Sequence, residues 1–172
     1  MTATVPVSDV ARNPDDRRIV MLLRALVILL SLQFLLGMWV NLFGAFPPTD
    51  NLGTAVGSTG DPVLTGHYVL AVVLLALGVV LVAVASRSGA RRLLVGMLSL
   101  GLLSLLWASA AGMEFVLSGF SSNVDSFSMA LAFIAATSCY GVAQALVVPR
   151  GPEASFRSLG GDRPLHRRER SP

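Results

Sequence analysis

The stretch LTGHYVLAVVLLALGVVLVAVA, residues 64–85, is aliphatic over almost its whole length and has one histidine, His67, near its start. At 1.5 Å per residue, a helix of about 20 residues crosses the roughly 30 Å hydrocarbon core of a bilayer. Three other long stretches are similarly apolar: residues 25–46, 93–117 and 127–148. A buried helix of a soluble protein would be shorter and would carry a charged face. The four stretches therefore predict four transmembrane helices.

The composition argues against a soluble catalytic domain. Of the 172 residues, 53% are hydrophobic and only 13% are charged, whereas a soluble domain has about 25% charged residues. No P-loop, GxSxG, HExxH or dinucleotide motif lies on an exposed segment. The single cysteine, Cys139, falls inside the fourth span and excludes a disulfide framework or a CxxC metal site. Any chemistry must lie within the bundle or on its faces.

The arginines predict the topology. All 13 basic residues are arginines, and all except Arg24 lie in the leader, in the second loop SRSGARR or in the tail. Cytoplasmic flanks of membrane helices collect basic residues, so both termini are expected in the cytoplasm. Arg24, at the inner end of the first helix, can extend to the headgroups. The net charge of +3 is thereby explained without nucleic acid, which we do not expect as a partner.

These observations predict an all-α, integral membrane four-helix bundle with cytoplasmic N- and C-termini. We expect a polar leader at 1–18, the bundle at 19–148 and a disordered, Arg-rich tail at 149–172. The helices are expected at about 19–46, 64–86, 92–118 and 126–148. Arginine without lysine, with abundant Ala, Gly, Val and Leu, is typical of a GC-rich bacterial genome such as that of an actinobacterium. The predicted location is a bacterial plasma membrane.

Small and polar residues recur along three of the spans, as expected where membrane helices pack closely. The candidate packing residues are Gln33, Gly37, Gly101, Ser104 and Ala132. We interpret them mainly as packing surfaces.

Four polar residues are predicted to form one layer near the outer ends of the helices: Asn41, His67, Glu114 and Asp125. Glu114 is the only acid inside a span, and an ionisable group there is a functional candidate. We name His67 as its partner. A structural hydrogen bond between the second and third helices, or two separately solvated residues, is the favoured interpretation. A metal, haem or proton-transfer site is the alternative.

The stretches LQFLLGMWVNLFGAFP (32–47) and GHYVLAVVLLALGVVLVA (66–83) resemble one four-helix half of haem A synthase. The resemblance implies haem ligation by paired histidines from the second and fourth helices. Gln33, Gly37 and His67 match the family pattern. In the fourth helix Phe127, Ser128 and Met129 stand where the second histidine is expected, which leaves Met129 as the conceivable second ligand.

The predicted function is a non-enzymatic accessory or partner-binding subunit without cofactor or metal. Its partners would be the lipid bilayer and another membrane protein or a second copy of the chain. The alternative is a b-type haem-binding protein or a haem A synthase-like half-domain with His67 as axial ligand and Met129 as the candidate second ligand. Small multidrug transporters place an essential glutamate deep in their first helix, and this chain has none there. Transport by a monomer is therefore not expected.

Overall fold

The computed structural model describes residues 14–43, 62–119 and 121–147, which form four helices. These are α1 (Pro14–Phe43), α2 (Pro62–Arg87), α3 (Arg92–Leu117) and α4 (Asn123–Val147). Each is long and apolar enough to cross a membrane, and the described ranges contain no strand. The predicted all-α four-helix fold is confirmed. The predicted leader (apart from its last residues), the first loop and the predicted tail lie outside the described residues.

Three helices begin earlier than predicted: α2 starts at Pro62 rather than at residue 64, and the differences at α1 and α4 are larger. α1 starts at Pro14 rather than at residue 19, so Asp15 and Asp16 occupy its first turn. Proline suits the first helical position because its missing N–H would have no partner there, and acidic residues interact favourably with the helix dipole. α4 starts at Asn123 rather than at residue 126. Polar residues that favour helix starts thus extend the helices beyond their apolar segments.

The helices follow one another around the bundle and the ring closes. α3 packs most extensively on α4, α1 packs on α2, and smaller interfaces join α2 to α3 and α1 to α4. Phe34 of α1 and Phe133 of α4 stack with ring centroids 5.1 Å apart. The short connections from α2 to α3 and from α3 to α4 are typical of antiparallel neighbours in helix bundles.

Two glycines in the left-handed conformation end α2 and α3. Gly89 has φ 69° and Gly119 has φ 64°. After Gly89, the amide of Ala90 donates to the carbonyl of Ala85 at 3.2 Å, while Gly119 itself donates to Val116 at 3.0 Å. These bonds satisfy carbonyls that the helix ends would otherwise leave free. They allow both connections to reverse the chain within a few residues.

Leucine and alanine fill the inside of the bundle. In α1 the buried positions recur every three or four residues, the spacing of helices that pack at a small crossing angle. The buried cluster comprises Ile19, Leu23, Leu26, Leu30, Leu74, Leu81, Ala85, Leu94, Leu98, Leu105, Ala136, Tyr140 and Ala143. Among the described residues no polar or charged residue other than Tyr140 is buried.

Tyr140 of α4 is fully buried and crosses the bundle between two glycines. A Cβ added to Gly101 of α3 would lie 2.8 Å from Tyr140 Cζ, and one added to Gly78 of α2 would lie 3.3 Å from its hydroxyl. The hydroxyl makes no hydrogen bond within the described residues. Both glycines therefore provide the space that the tyrosine occupies.

The outside of the bundle is apolar on all four helices. Exposed side chains include Ile28, Val72, Leu103 and Ile134, each at least 60% accessible. In water such surfaces would be polar on the outward face. Lipid is the solvent that this surface suits.

Candidate functional site

The four polar residues predicted to form one layer lie near one end of the bundle but in separate environments. Asn41 is in the last turn of α1 and is exposed. His67 is in the second turn of α2 and packs on α1. Glu114, in the last turn of α3, and Asp125, in the first turn of α4, border a groove between those two helices. The predicted layer is therefore not one site: His67 and the pair Glu114 and Asp125 belong to two different sites, and Asn41 belongs to neither.

His67 contacts Gln33 and Gly37 of α1. Gln33 Nε2 lies 3.3 Å from His67 Nε2, so in this amide orientation the amide donates to the imidazole nitrogen. A Cβ on Gly37 would lie only 3.0 Å from His67 Cε1. The absence of a side chain at Gly37 therefore gives the imidazole its place. We call Gln33, Gly37 and His67 the His67 tie, because they join the C-terminal half of α1 to the N-terminal half of α2.

The His67 tie leaves two buried polar atoms without a partner. His67 Nδ1 and Gln33 Oε1 make no hydrogen bond within the described residues. A buried donor or acceptor left unpaired costs about 1–3 kcal/mol. This cost offsets the gain from the Gln33–His67 hydrogen bond, and each polar side chain of the tie keeps one atom for a further hydrogen bond.

The predicted pairing of His67 with Glu114 is wrong. The hydrogen-bond partner of His67 is Gln33, and the Glu114 side chain is exposed beside the α3–α4 groove. The position of each residue along its predicted span placed both residues at one depth in the membrane. It gave no information on which neighbouring helix each side chain faces. His67 ties α2 to α1 rather than to α3.

The α3–α4 groove has two compartments that meet at a hydrogen bond. Trp107 Nε1 of α3 donates to Ser128 Oγ of α4 at 2.8 Å, and both residues line both compartments. The wide compartment, of about 420 Å³, is lined by Leu103, Ser104, Trp107, Ser128, Leu131, Ala132 and Ala135. The acidic compartment, of about 190 Å³, is lined by Trp107, Ala110, Ala111, Glu114, Asp125 and Ser128.

The order of these residues along the helices places the acidic compartment nearer the helix ends. Glu114 and Asp125 form no hydrogen bond or ion pair through their carboxylates within the described residues. The described arginines lie at the opposite end, near the start of α1 and around the α2–α3 connection. The part of the groove nearer the middle of the helices is therefore largely apolar. The part nearer the helix ends has two carboxylates without a neighbouring positive charge among the described residues.

Asp125 also has a structural role at the start of α4. Its backbone amide donates to Ser122 Oγ at 3.3 Å, the arrangement in which a serine caps the N-terminus of a helix. Its carboxylate lies in the first turn, where the helix dipole favours a negative charge. Helix capping accounts for the backbone position of Asp125 and leaves its carboxylate beside the groove.

The remaining candidate residues are in helix interfaces. Met129 Sδ would lie 3.4 Å from a Cβ on Gly112 of α3, so Met129 packs on α3 while His67 packs on α1. Ser104 Oγ donates to the Leu100 carbonyl at 2.9 Å, and Ala132 is buried beside the groove. The described residues contain no group of three or more His, Cys, Asp or Glu side chains placed to hold a metal ion.

Sequence reasoning missed the Trp107–Ser128 hydrogen bond and the central position of Tyr140. A signal for Tyr140 existed, because a single tyrosine stands in the middle of the fourth span while Gly78 and Gly101 interrupt two neighbouring spans. For Trp107 and Ser128 the sequence gave no signal that the two residues meet across the α3–α4 interface. Comparison with protein-family models, characterised proteins and solved structures gives no match.

Proposed function

We propose that the chain is a multi-pass protein of a bacterial plasma membrane that acts as a non-enzymatic accessory or partner-binding subunit. Its four long apolar helices and their apolar outer surfaces support the membrane setting. The described arginines at one end and the acidic residues Glu114 and Asp125 at the other support a cytoplasmic location for both termini.

The orientation is tested by cysteine labelling. In a Cys139→Ala background, Ser121→Cys in the α3–α4 connection should react with an impermeant thiol reagent in intact cells. Ser86→Cys, exposed at the arginine-rich end of α2, should react only after the cells are opened. The reverse pattern would contradict the proposed orientation.

The groove between α3 and α4 is the proposed binding surface. The observation that carries this proposal is the pair of unpartnered carboxylates at the end of an otherwise apolar groove. Interior side chains such as Leu98 and Tyr140 are enclosed by the protein's own helices. In contrast, the two carboxylates and the exposed Trp107 ring are available to a molecule outside the bundle.

Photocrosslinking from the groove tests this proposal. A photoreactive amino acid at Leu131, which lines the wide compartment, should give a discrete adduct in native membranes. The control position is Val72 of α2, which is 66% exposed on the outside of the bundle and lies at a comparable distance from the start of its helix. Equal, diffuse labelling from both positions would contradict a binding role for the groove.

Haem binding by His67 is the second candidate function. The observation in its favour is His67 Nδ1, a buried nitrogen without a hydrogen-bond partner in the described residues. To bind iron, this nitrogen must lose the proton that it carries when Nε2 accepts from Gln33, which requires the Gln33 amide to be reversed so that its oxygen accepts from Nε2–H. Three observations argue against the fit of a haem. His67 Nε2 faces Gln33, and the ring itself fills the space above Gly37. Met129, the second ligand that the resemblance suggests, packs against Gly112.

An absorbance spectrum of the purified chain separates the two candidates. The favoured function predicts a colourless protein. A Soret band that disappears in His67→Ala would establish the second candidate instead. Met129→Ala would then show whether the thioether is the other axial ligand, because its loss shifts the spectrum of a six-coordinate haem.

A further inference from the structure

We infer that the α3–α4 groove binds a single-chain amphiphile with a cationic amine head and an apolar tail. This inference rests on the proposed function and names the chemistry of its partner. It concerns the two compartments together, since Trp107 and Ser128 line both and join them into one continuous groove.

The dimensions of the groove favour a small amphiphile over a protein helix. The wide compartment is a shallow, open groove in which the buried Ala132 lies between the exposed side chains of Leu103 and Leu131. A transmembrane helix is about 10–12 Å across with its side chains. It would therefore lie across the exposed rims, Leu103 and Leu131, and leave the small floor residue Ala132 uncovered. An extended hydrocarbon chain can enter the groove.

Charge complementarity specifies the head group. Glu114 and Asp125 border the end of the groove nearest the helix termini, where the head of an outer-leaflet amphiphile lies. No arginine of the described residues lies at this end to balance them. A cation would be attracted by both carboxylates, whereas a sulfate or phosphate would be repelled by both, and the low dielectric near the bilayer strengthens the difference.

The polarity gradient specifies how the ligand lies. From Glu114 the lining passes through alanines to the Trp107–Ser128 hydrogen bond and then to the leucines and alanines of the wide compartment. An amphiphile parallel to the helices would place its head at the carboxylates and its tail along Leu103 and Leu131. The tail would pass the Trp107 indole.

Trp107 provides a reporter inside the proposed site. The chain has two tryptophans, so Trp39→Phe leaves Trp107 as the only one. The full-length variant is reconstituted in phosphatidylcholine vesicles and titrated with octadecylamine that is brominated at mid-chain. Brominated octadecanol and brominated octadecyl sulfate are the matched uncharged and anionic probes. Bromine quenches indole fluorescence on contact.

The expected result is saturable quenching of Trp107 by the amine, at a membrane concentration roughly ten-fold lower than for the alcohol. The sulfate should quench least. In the double variant Glu114→Gln and Asp125→Asn, the amine should lose its advantage over the alcohol. The reciprocal variant Trp107→Phe keeps Trp39 on α1 as the only tryptophan and reports contact with bulk lipid. Quenching of Trp39 should be equally strong for the amine and the alcohol.

Equal quenching by amine and alcohol, or an amine preference that survives in the double variant, would overturn the inference. The proposed function fails separately, by the crosslinking experiment at Leu131. A discrete crosslink to a protein there, with no amine preference at Trp107, would support the binding role of the groove and overturn the amphiphile as its ligand.

Discussion

Polar residues have opposite roles in the two helix pairs of the bundle, α1–α2 and α3–α4. Between α1 and α2, the His67 imidazole is seated on Gly37 and bonded to Gln33, so the polar side chain is used to join the helices. Between α3 and α4, the carboxylates of Glu114 and Asp125 face a groove and bond to no residue in the described part of the chain. Both sets lie in the terminal turns of their helices or close to them.

The difference shows that depth in a membrane does not define a site. A polar residue near the interface contributes to structure when a neighbouring helix offers it a partner and a space, as α1 does for His67. It is available for binding when the neighbouring side chains are small and the space stays open, as at Ala110 and Ala111 beside Glu114. The role of a polar side chain is therefore indicated by the partner that it contacts and not by its depth in the membrane.

The largest expected effect concerns Tyr140, which connects the two helix pairs. Gly101→Ala places a Cβ 2.8 Å from the Tyr140 ring, and overpacking of this kind costs about 1–3 kcal/mol. Reversible unfolding in mixed detergent micelles should show a loss of that size. Gly96→Ala on the same helix, where a Cβ meets nothing within 4 Å, should be neutral or stabilising. Equal effects at both glycines would contradict the packing of Tyr140.

A smaller effect is expected at the His67 tie. Gly37→Ala places a Cβ 3.0 Å from the edge of the imidazole, so we expect a loss of about 1 kcal/mol, at the lower end of overpacking costs. The loss should disappear in a His67→Ala background, because the crowding atom is then absent. Gly66→Ala on α2, with open space at its Cβ, is the control. If Gly37→Ala costs the same with or without the imidazole, the two residues are not in contact.

The smallest effect is expected in the groove. Glu114→Gln should change the free energy of unfolding by no more than about 0.5 kcal/mol, as is usual for exposed residues without a partner. The same unfolding assay in mixed micelles measures the free energy of unfolding of this variant, with His67→Ala measured in parallel. A loss well above 1 kcal/mol would mean that Glu114 stabilises the fold through a partner, and the distinction between the two helix pairs would no longer hold.

The fold was largely predictable because it depends on a strong, repeated signal. Four apolar stretches, such as residues 64–85, are long enough to define four helices without knowledge of their contacts. The helix starts were less predictable, since α1 begins among Pro14 and two aspartates rather than at its first apolar residue. Capping and dipole effects act over one turn and do not appear in a hydrophobicity pattern.

The candidate site was predictable only in part. The resemblance to haem A synthase singled out Gln33, Gly37 and His67, which the structure brings together. The pairing of His67 with Glu114 failed because the sequence does not show whether His67 faces α1 or α3. The rotation of each helix about its axis, which decides such pairs, depends on the packing of the whole bundle.

Two double-mutant cycles on one chain test the central claim most directly. Unfolding free energies are measured for His67→Ala combined with Gln33→Ala, and for His67→Ala combined with Glu114→Gln. The structure predicts a coupling of about 0.6 kcal/mol, and at most about 1.7 kcal/mol, for the first pair, as found for hydrogen bonds between membrane helices. It predicts additivity within about 0.3–0.5 kcal/mol for the second pair. Coupling between His67 and Glu114, with none between His67 and Gln33, would contradict the assignment of His67 to the tie and of Glu114 to the groove.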